Sequence, residues 1–376
     1  MSSPFSWPAV GVAVAGGAVF ALGIVLPRLQ LRAETRRGRS TASTPQVLPP
    51  RPSIDVIVPS YLETATIGPT VRRLRDALRE YPGPSTITVV ASDEATGDAA
   101  VEADADRVIR LERSGKPHAS AVGAAASSAD VLVFTDANCE IQPQRWPSIV
   151  VEELTRWHLV SGNKTERGTR EALFWQLEAS TKQRLSEAVG TLSVVGELIA
   201  IRRADYRPTP PGIVVDDLWL AAQLVFEGKR VGVSDLLQTV EDPASNKDQW
   251  GRRVRIAKGL LREQLPQLRL LSSSPEGRLF IGHKLYRLTV GCFGFWVAVA
   301  AAGVSSWPIS LVLYAGVLGC AVTYSGRVMP RASLGLPISA IGMQAVPVAA
   351  LYSLIRDRFR SASSDAETVG WAKVER

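Results

Sequence analysis

The residues of this chain best placed to do chemistry are acids that follow apolar runs. Val131 to Phe134 form an uninterrupted apolar stretch that stops at Thr135-Asp136-Ala137-Asn138, which sets two oxygen-bearing side chains two residues apart. Two readings are open at that point. Asp and Asn favour helix N-caps and Asx-turns, where they hydrogen-bond the local backbone. The alternative is a metal-phosphate site at the carboxyl end of a parallel strand, where open α/β sheets bind ligands. The pattern recurs: IDVIVPS runs into PSYLE with Glu63, and TITVVAS runs into SDEATGD with Asp93. If the three strands are parallel, Glu63, Asp93 and Asp136 converge on one crevice. A further acidic pair, Asp216-Asp217, precedes the apolar helical stretch Leu218 to Phe226. There an acid also serves as a cap and dipole partner.

The elements that would position these acids alternate. Strands are expected at 54–60, 86–92, 107–112 and 131–137, and helices at 67–81 and 117–128. Several strands are nearly continuous apolar runs, which argues for a mostly parallel sheet covered by helices. Ser40 to Ser53 (STASTPQVLPPRPS) reads as a linker.

Hydrophobic residues make up 46% of the 376 and concentrate at the two ends. Pro8 to Pro27 is twenty residues without a charge, long enough for a helix to cross a bilayer. Five arginines follow it and no charged side chain precedes it, so the N-terminus is expected outside and the central region in the cytoplasm. A signal peptide would carry its basic residues before the apolar run. Three more apolar segments lie at 288–304, 309–324 and 332–355, the last interrupted by Pro337 and Pro347, which leaves three or four spans open. The stretch 171–189 sets Phe174, Leu177 and Leu185 on one side, as an interfacial helix or a core helix would. Three cysteines make no complete disulfide set, and three histidines share no ligand spacing, which argues against a zinc site. The formal net charge is +7, but much of the basic charge flanks apolar segments, where anionic lipid is the commoner partner. No nucleic-acid-binding motif accompanies it.

Six stretches in order, namely VIVPSYLE, VVASDEATGD, ERSGKPHASAVGAAASSADVLVFTDAN, VVGELIAIRR, VVDDLWLAAQLVFEGKRV and QWGRRVRIAKG, resemble family 2 glycosyltransferases from about Ile54 to Gly259. More narrowly they are similar to the membrane-embedded, polysaccharide-synthase-like branch. The resemblance implies a GT-A fold, Rossmann-like with a mostly parallel sheet, together with Mg2+ or Mn2+ and inverting transfer from a UDP-sugar. It implies donor contacts from Pro59, Tyr61 and Glu63, with Leu62 replacing the usual Asn, and from Asp93 at the uracil edge and Lys116 near the diphosphate. Asp136 and Asn138 stand in the place of the family's D-x-D metal ligands. Asp217 aligns with the catalytic base and Asp216 with its structural neighbour. Gln249, Arg252 and Arg253 stand near the family's Q-x-x-R-W, with the tryptophan displaced, and Gly196 and Glu197 in its acceptor pocket. The expected organisation is an anchor (1–30), a linker (31–53), a cytoplasmic catalytic domain (54–270), membrane segments (271–360) and a cytoplasmic tail (361–376). The expected acceptor is a polysaccharide or lipid-linked glycan at the cell membrane. A lipid-phosphate sugar transferase and a catalytically inactive scaffold are the alternatives.

Overall fold

The computed structural model describes residues 6–37, 47–166, 172–241, 246–305 and 341–361, together with 43, 45, 315 and 316. Eight strands make one sheet: β1 (Ile54–Ser60), β2 (Ser85–Ala91), β3 (Arg107–Arg110), β4 (Val131–Thr135), β5 (Cys139–Gln142), β6 (Leu159–Glu166), β7 (Leu198–Arg202) and β8 (Val231–Glu241). Their order is β3-β2-β1-β4-β7-β6-β8-β5. The helices are α1 (Trp7–Arg37), α2 (Thr64–Arg79), α3 (Glu94–Glu102), α4 (Lys116–Ala125), α5 (Trp146–Glu153), α6 (Ala172–Ala188), α7 (Asp216–Phe226), α8 (Asn246–Gln264), α9 (Leu268–Ser273), α10 (Pro275–Phe280), α11 (Cys292–Ser305) and α12 (Ala345–Ser361).

Strands β3, β2, β1 and β4 run parallel, as the apolar runs imply. Beyond β4 the sheet departs from the mostly parallel expectation: β7 is antiparallel to both β4 and β6, and β5 is antiparallel to β8. The sheet is therefore mixed. β6 and β8 pair in parallel with a register shift between Ser161 and Asn163.

Because strand side chains alternate, each strand feeds two cores. On one face Val56, Val58, Ile87 and Val133 pack beneath α2 and α5. Helix α2 is amphipathic, burying Ile67, Val71, Leu74 and Leu78 at helical spacing. On the other face Ile57, Val90, Leu132 and Phe134 pack beneath α4 and α7. Gly123 lets α4 come down on β1, since a Cβ there would lie 2.5 Å from Ile57 Cγ2.

Two apolar helices flank this body. Helix α1 is 31 residues long and extends to Arg37, seven residues past the expected anchor and into the expected linker. Its halves 7–23 and 25–37 are bent by 46°, and together they pass the length and hydropathy test for a span. The segment expected at 288–304 belongs to a longer helix, Pro275–Val304, in which π-helical turns join α10 to α11. It is the one unbent helix among the described residues that is long and apolar enough to cross a membrane. The two helices cross at glycines: a Cβ on Gly16 would lie 2.7 Å from the Gly294 carbonyl oxygen. Phe20 and Phe295 meet with ring centroids 5.5 Å apart, and Glu34 takes the Arg278 guanidinium by two bonds of 2.8 Å.

Helix α8 has two working sides. Trp250, Val254, Ala257 and Leu261 face α12 through Val346 and Ala350, and Lys258 pairs with Asp357. The expected segment 309–324 lies almost wholly outside the described residues, as do the first part of 332–355 and the tail from 362 on.

Candidate active site

At the carboxyl end of β1 the backbone turns sharply, and Leu62 adopts φ +55°. That left-handed conformation suits Asn better than Leu. The turn is held by Asp93, whose carboxylate accepts the Leu62 N–H at 2.6 Å and the Thr96 N–H at 2.9 Å, capping α3. Glu63 accepts the Thr66 hydroxyl at 2.6 Å, and its own N–H donates to Thr96 Oγ1 at 2.9 Å. The local capping reading therefore holds for Asp93, which does not line the cavity described next, although Ser92 does.

A cavity of about 400 Å³ opens over the carboxyl ends of β1 and β4. At one end it is bordered by Pro59, Tyr61, Glu63 and Arg113, whose guanidinium lies 4.4 Å from the Tyr61 ring centroid. Asp136 and Asn138 line it too. Asp136 caps no described helix. It pairs with Lys116 at the start of α4, and the same ammonium donates to the Gly196 carbonyl at 3.2 Å. Burial works against the Lys116 charge, but Asp136, with Asp216 and Glu197 beyond it, more than offsets this and holds the ammonium above its ordinary range.

The paired acids open α7, Asp216 first and Asp217 second. Asp217 accepts the N–H of Leu218 at 2.7 Å. Burial, and then the neighbouring Asp216, push its carboxyl up to about 6. Its free edge faces Gly196: a Cβ built there would meet Asp217 Oδ2 at 3.4 Å. The glycine leaves this edge open to the cavity, which Gly196 and Asp217 both line. Such a carboxylate can take a proton from a hydroxyl near neutral pH.

Behind Asp136 lies a buried charge network. Lys164 on β6 donates to Glu197 at 2.9 Å and to Glu241 at 2.5 Å, and Arg252 on α8 pairs with the same two acids. Glu197 is 3% exposed, and its carboxylate is taken up by Lys164 and Arg252. Glu197, expected in the acceptor pocket, lines the cavity and holds these two cations in place. Burial opposes its ionisation, yet Lys164 and Arg252 keep it well below the usual carboxylate range. Burial likewise opposes the Arg252 charge, and Glu197 and Glu241 reverse that.

Asp136, Glu197 and Glu241 bring carboxylate oxygens within 4.8 Å of one another, an oxygen set that fits a hard divalent cation such as Mg2+ or Mn2+. Glu197 and Glu241 already face two basic side chains. Asp136 and Glu197 both line the cavity, and Asp136, with Asn138 two residues on, is the more exposed of the two.

Gln249, Arg252 and Arg253 line this cavity as the sequence implies. Sequence reasoning missed Lys164, Arg113, Lys182 and Arg255, which line it too. Arg255 stands one helical turn after Arg252 in QWGRRVRIAKG, a spacing that was available as a signal. Lys164 sits in SGNKTE, which reads as a polar loop. Another hollow, of about 470 Å³, lies between α2 and β5. Its charged residues are Arg73 and Glu140, so it lacks the paired acids and basic cluster that would do chemistry.

The fold and the site together define an α/β protein whose sheet ends in a cavity lined by paired acids and a basic cluster. Residues 55–207 match the family model for glycosyl transferase family 2. Those residues, less than half of the chain, are thus similar to family 2 glycosyltransferases, and the fold is GT-A. Among solved structures, the mannosyltransferase PcManGT from Pyrobaculum calidifontis, in complex with GDP-Man and Mn2+, is 20% identical with a TM-score of 0.69, over 92% of this chain and 99% of that one. Glucosyl-3-phosphoglycerate synthase from Mycobacterium tuberculosis, with Mn2+, UDP and phosphoglyceric acid, is 24% identical over 56% of this chain and 78% of that one (TM-score 0.41). Mannosyl-3-phosphoglycerate synthase from Rubrobacter xylanophilus is 15% identical over 68% and 85% (TM-score 0.43). No curated protein sequence matches the chain significantly.

Proposed function

We propose that this chain is a membrane-anchored, inverting glycosyltransferase that moves a sugar from a nucleoside-diphosphate sugar to a glycan or lipid-linked acceptor. The observation that carries the reading is the Asp217 carboxylate, half-buried, raised to about 6 and facing the opening over Gly196, in one cavity with Lys116, Asp136 and the α8 arginines. An acceptor hydroxyl over Gly196 gives its proton to Asp217 as its oxygen bonds the anomeric carbon. The bond from that carbon to the diphosphate oxygen breaks on the opposite face, and the electron pair leaves with the nucleoside diphosphate. Lys116, Arg252 and Arg255 place positive charge beside the departing phosphates, the guanidinium groups by paired N–H donors. Asp136 with Asn138 would hold Mg2+ or Mn2+, which supplies further charge to the diphosphate. The neighbour of matching fold binds GDP-Man and Mn2+, in keeping with this donor class.

The apolar pair α1 and Pro275–Val304 supports a membrane location, with the catalytic domain in the cytoplasm, where the Arg28–Arg37 cluster points. The Gly16–Gly294 contact leaves no room for a glycan between these two helices.

The test is nucleotide release by the full chain in detergent, across UDP- and GDP-sugars, with Mn2+, Mg2+ or EDTA, and with Asp217→Asn alongside. The expected result is cation-dependent turnover with one donor that the variant abolishes. A chain that binds no nucleotide under any of these conditions is an inactive scaffold, and the proposal fails.

A further inference from the structure

We propose that the far end of the active-site cavity is an anion subsite, built around Lys182, that reads a phosphate ester on the acceptor. The inference deepens the function just proposed and rests on it. Lys182 lies on α6 and is 9% exposed, yet it lines the cavity. No carboxylate lies within ion-pair distance of it among the described residues. Its natural partner is Glu178, four residues earlier on the same helix and in the favoured Glu-before-Lys order. Glu178 is taken from elsewhere: Lys284 pairs with it, and Arg287 and His283 approach at 3.3 and 3.5 Å. Those three residues belong to the Pro275–Val304 helix. The long helix therefore removes the acid that would neutralise Lys182.

A buried ammonium without a counter-charge is costly unless an anion supplies one. Lys284 lines the same end, so two ammonium groups face the space over a single carboxylate. Apolar side chains line the cavity as well, Leu192, Leu260 and Phe280 among them. An anionic head with an apolar stem fits such a lining. The location agrees: Leu185, one turn beyond Lys182, packs on Leu279 with Leu31 of α1 against them. Lys182 therefore stands where the catalytic domain meets the apolar helices, the place where a lipid-borne phosphate would arrive. A phosphate on a soluble acceptor presents the same chemistry, and the experiment separates the two sources.

The full-length protein in detergent is given dodecyl phosphate, dodecanol or glycerol 3-phosphate. Binding is followed by intrinsic tryptophan fluorescence and turnover by nucleotide release. Dodecyl phosphate is expected to bind at least tenfold more tightly than dodecanol. In Lys182→Ala that preference falls to within twofold, the acceptor KM rises tenfold or more and the donor KM stays within twofold, and Lys182→Arg restores the preference. Competition by glycerol 3-phosphate at equal concentration assigns the subsite to soluble phosphate esters. Its absence assigns the subsite to lipid phosphate. Equal binding of dodecanol and dodecyl phosphate by the unaltered protein overturns the inference, whatever the turnover assay gives. So does an alanine variant that keeps the preference. No turnover with any donor, alongside phosphate-selective binding lost in Lys182→Ala, sinks the glycosyl-transfer reading and leaves the subsite standing.

Discussion

At the scale of single residues, the site rests on how differently neighbouring carboxylates are treated. Asp217 is raised by burial and by Asp216, whereas Glu197 is held low by two cations. A base must be ionised to work, so transfer is inactive below the Asp217 value and rises through about pH 6 to a plateau. A kcat/KM profile with its acidic limb near 6 checks this. Asp217→Asn should lower kcat by about 10²–10⁴, the usual worth of a general base, with nucleotide binding retained. Gly196→Ala puts a methyl group 3.4 Å from Asp217 Oδ2, an ordinary contact that the fold accepts. Its expected effect is a lower kcat at an unchanged melting temperature. Glu197→Gln breaks a buried ion network and leaves Lys164 and Arg252 underpaired, at a loss of about 3–5 kcal/mol by denaturant titration. The sign for pH follows from its depressed pKa: the stabilisation is full above the unfolded value of 4.5 and is lost as pH falls below it.

At the scale of elements, the parallel half of the sheet was legible. Strands expected at 54–60, 86–92, 107–112 and 131–137 appear at 54–60, 85–91, 107–110 and 131–135, because buried parallel strands are continuous apolar runs. The antiparallel half was not, since β6 reads LVSGNKTE and β8 carries polar residues mid-strand. The irregularity between β6 and β8 explains why Lys164 escaped notice. Leu159 and Val160 feed opposite cores, and in an unbroken strand Lys164 would share the face of Val160. The shift after Ser161 turns it instead towards Glu197 and Glu241. Among site residues, the cavity gathers Tyr61, Glu63, Lys116, Asp136, Asn138 and Asp217, whereas Asp93 caps α3 beside it, because a helix cap and a ligand contact use the same residue type. The β1 turn yields its own prediction. Leu62→Asn should stabilise the fold by about 1 kcal/mol, read as a higher denaturation midpoint, because Asn tolerates the left-handed backbone that Leu62 adopts.

At the scale of the whole molecule, the two apolar helices are tied to each other by a few specific contacts, the Glu34–Arg278 pair and the Gly16–Gly294 crossing among them. Gly16→Leu would drive a side chain into the Gly294 backbone and should force the helices apart, seen as a loss of thermal stability in detergent. The packing of α12 against α8 has a consequence for how the protein comes into being. Synthesis runs from the N-terminus, so the base, the metal acids and the arginine-bearing face of α8 are all made before residue 345. The backing that Val346, Ala350 and Asp357 give that helix comes last. A chain still on the ribosome therefore holds every chemical group of the site without the brace behind its arginines. The arginine-bearing helix is fully packed only once α12 docks behind it.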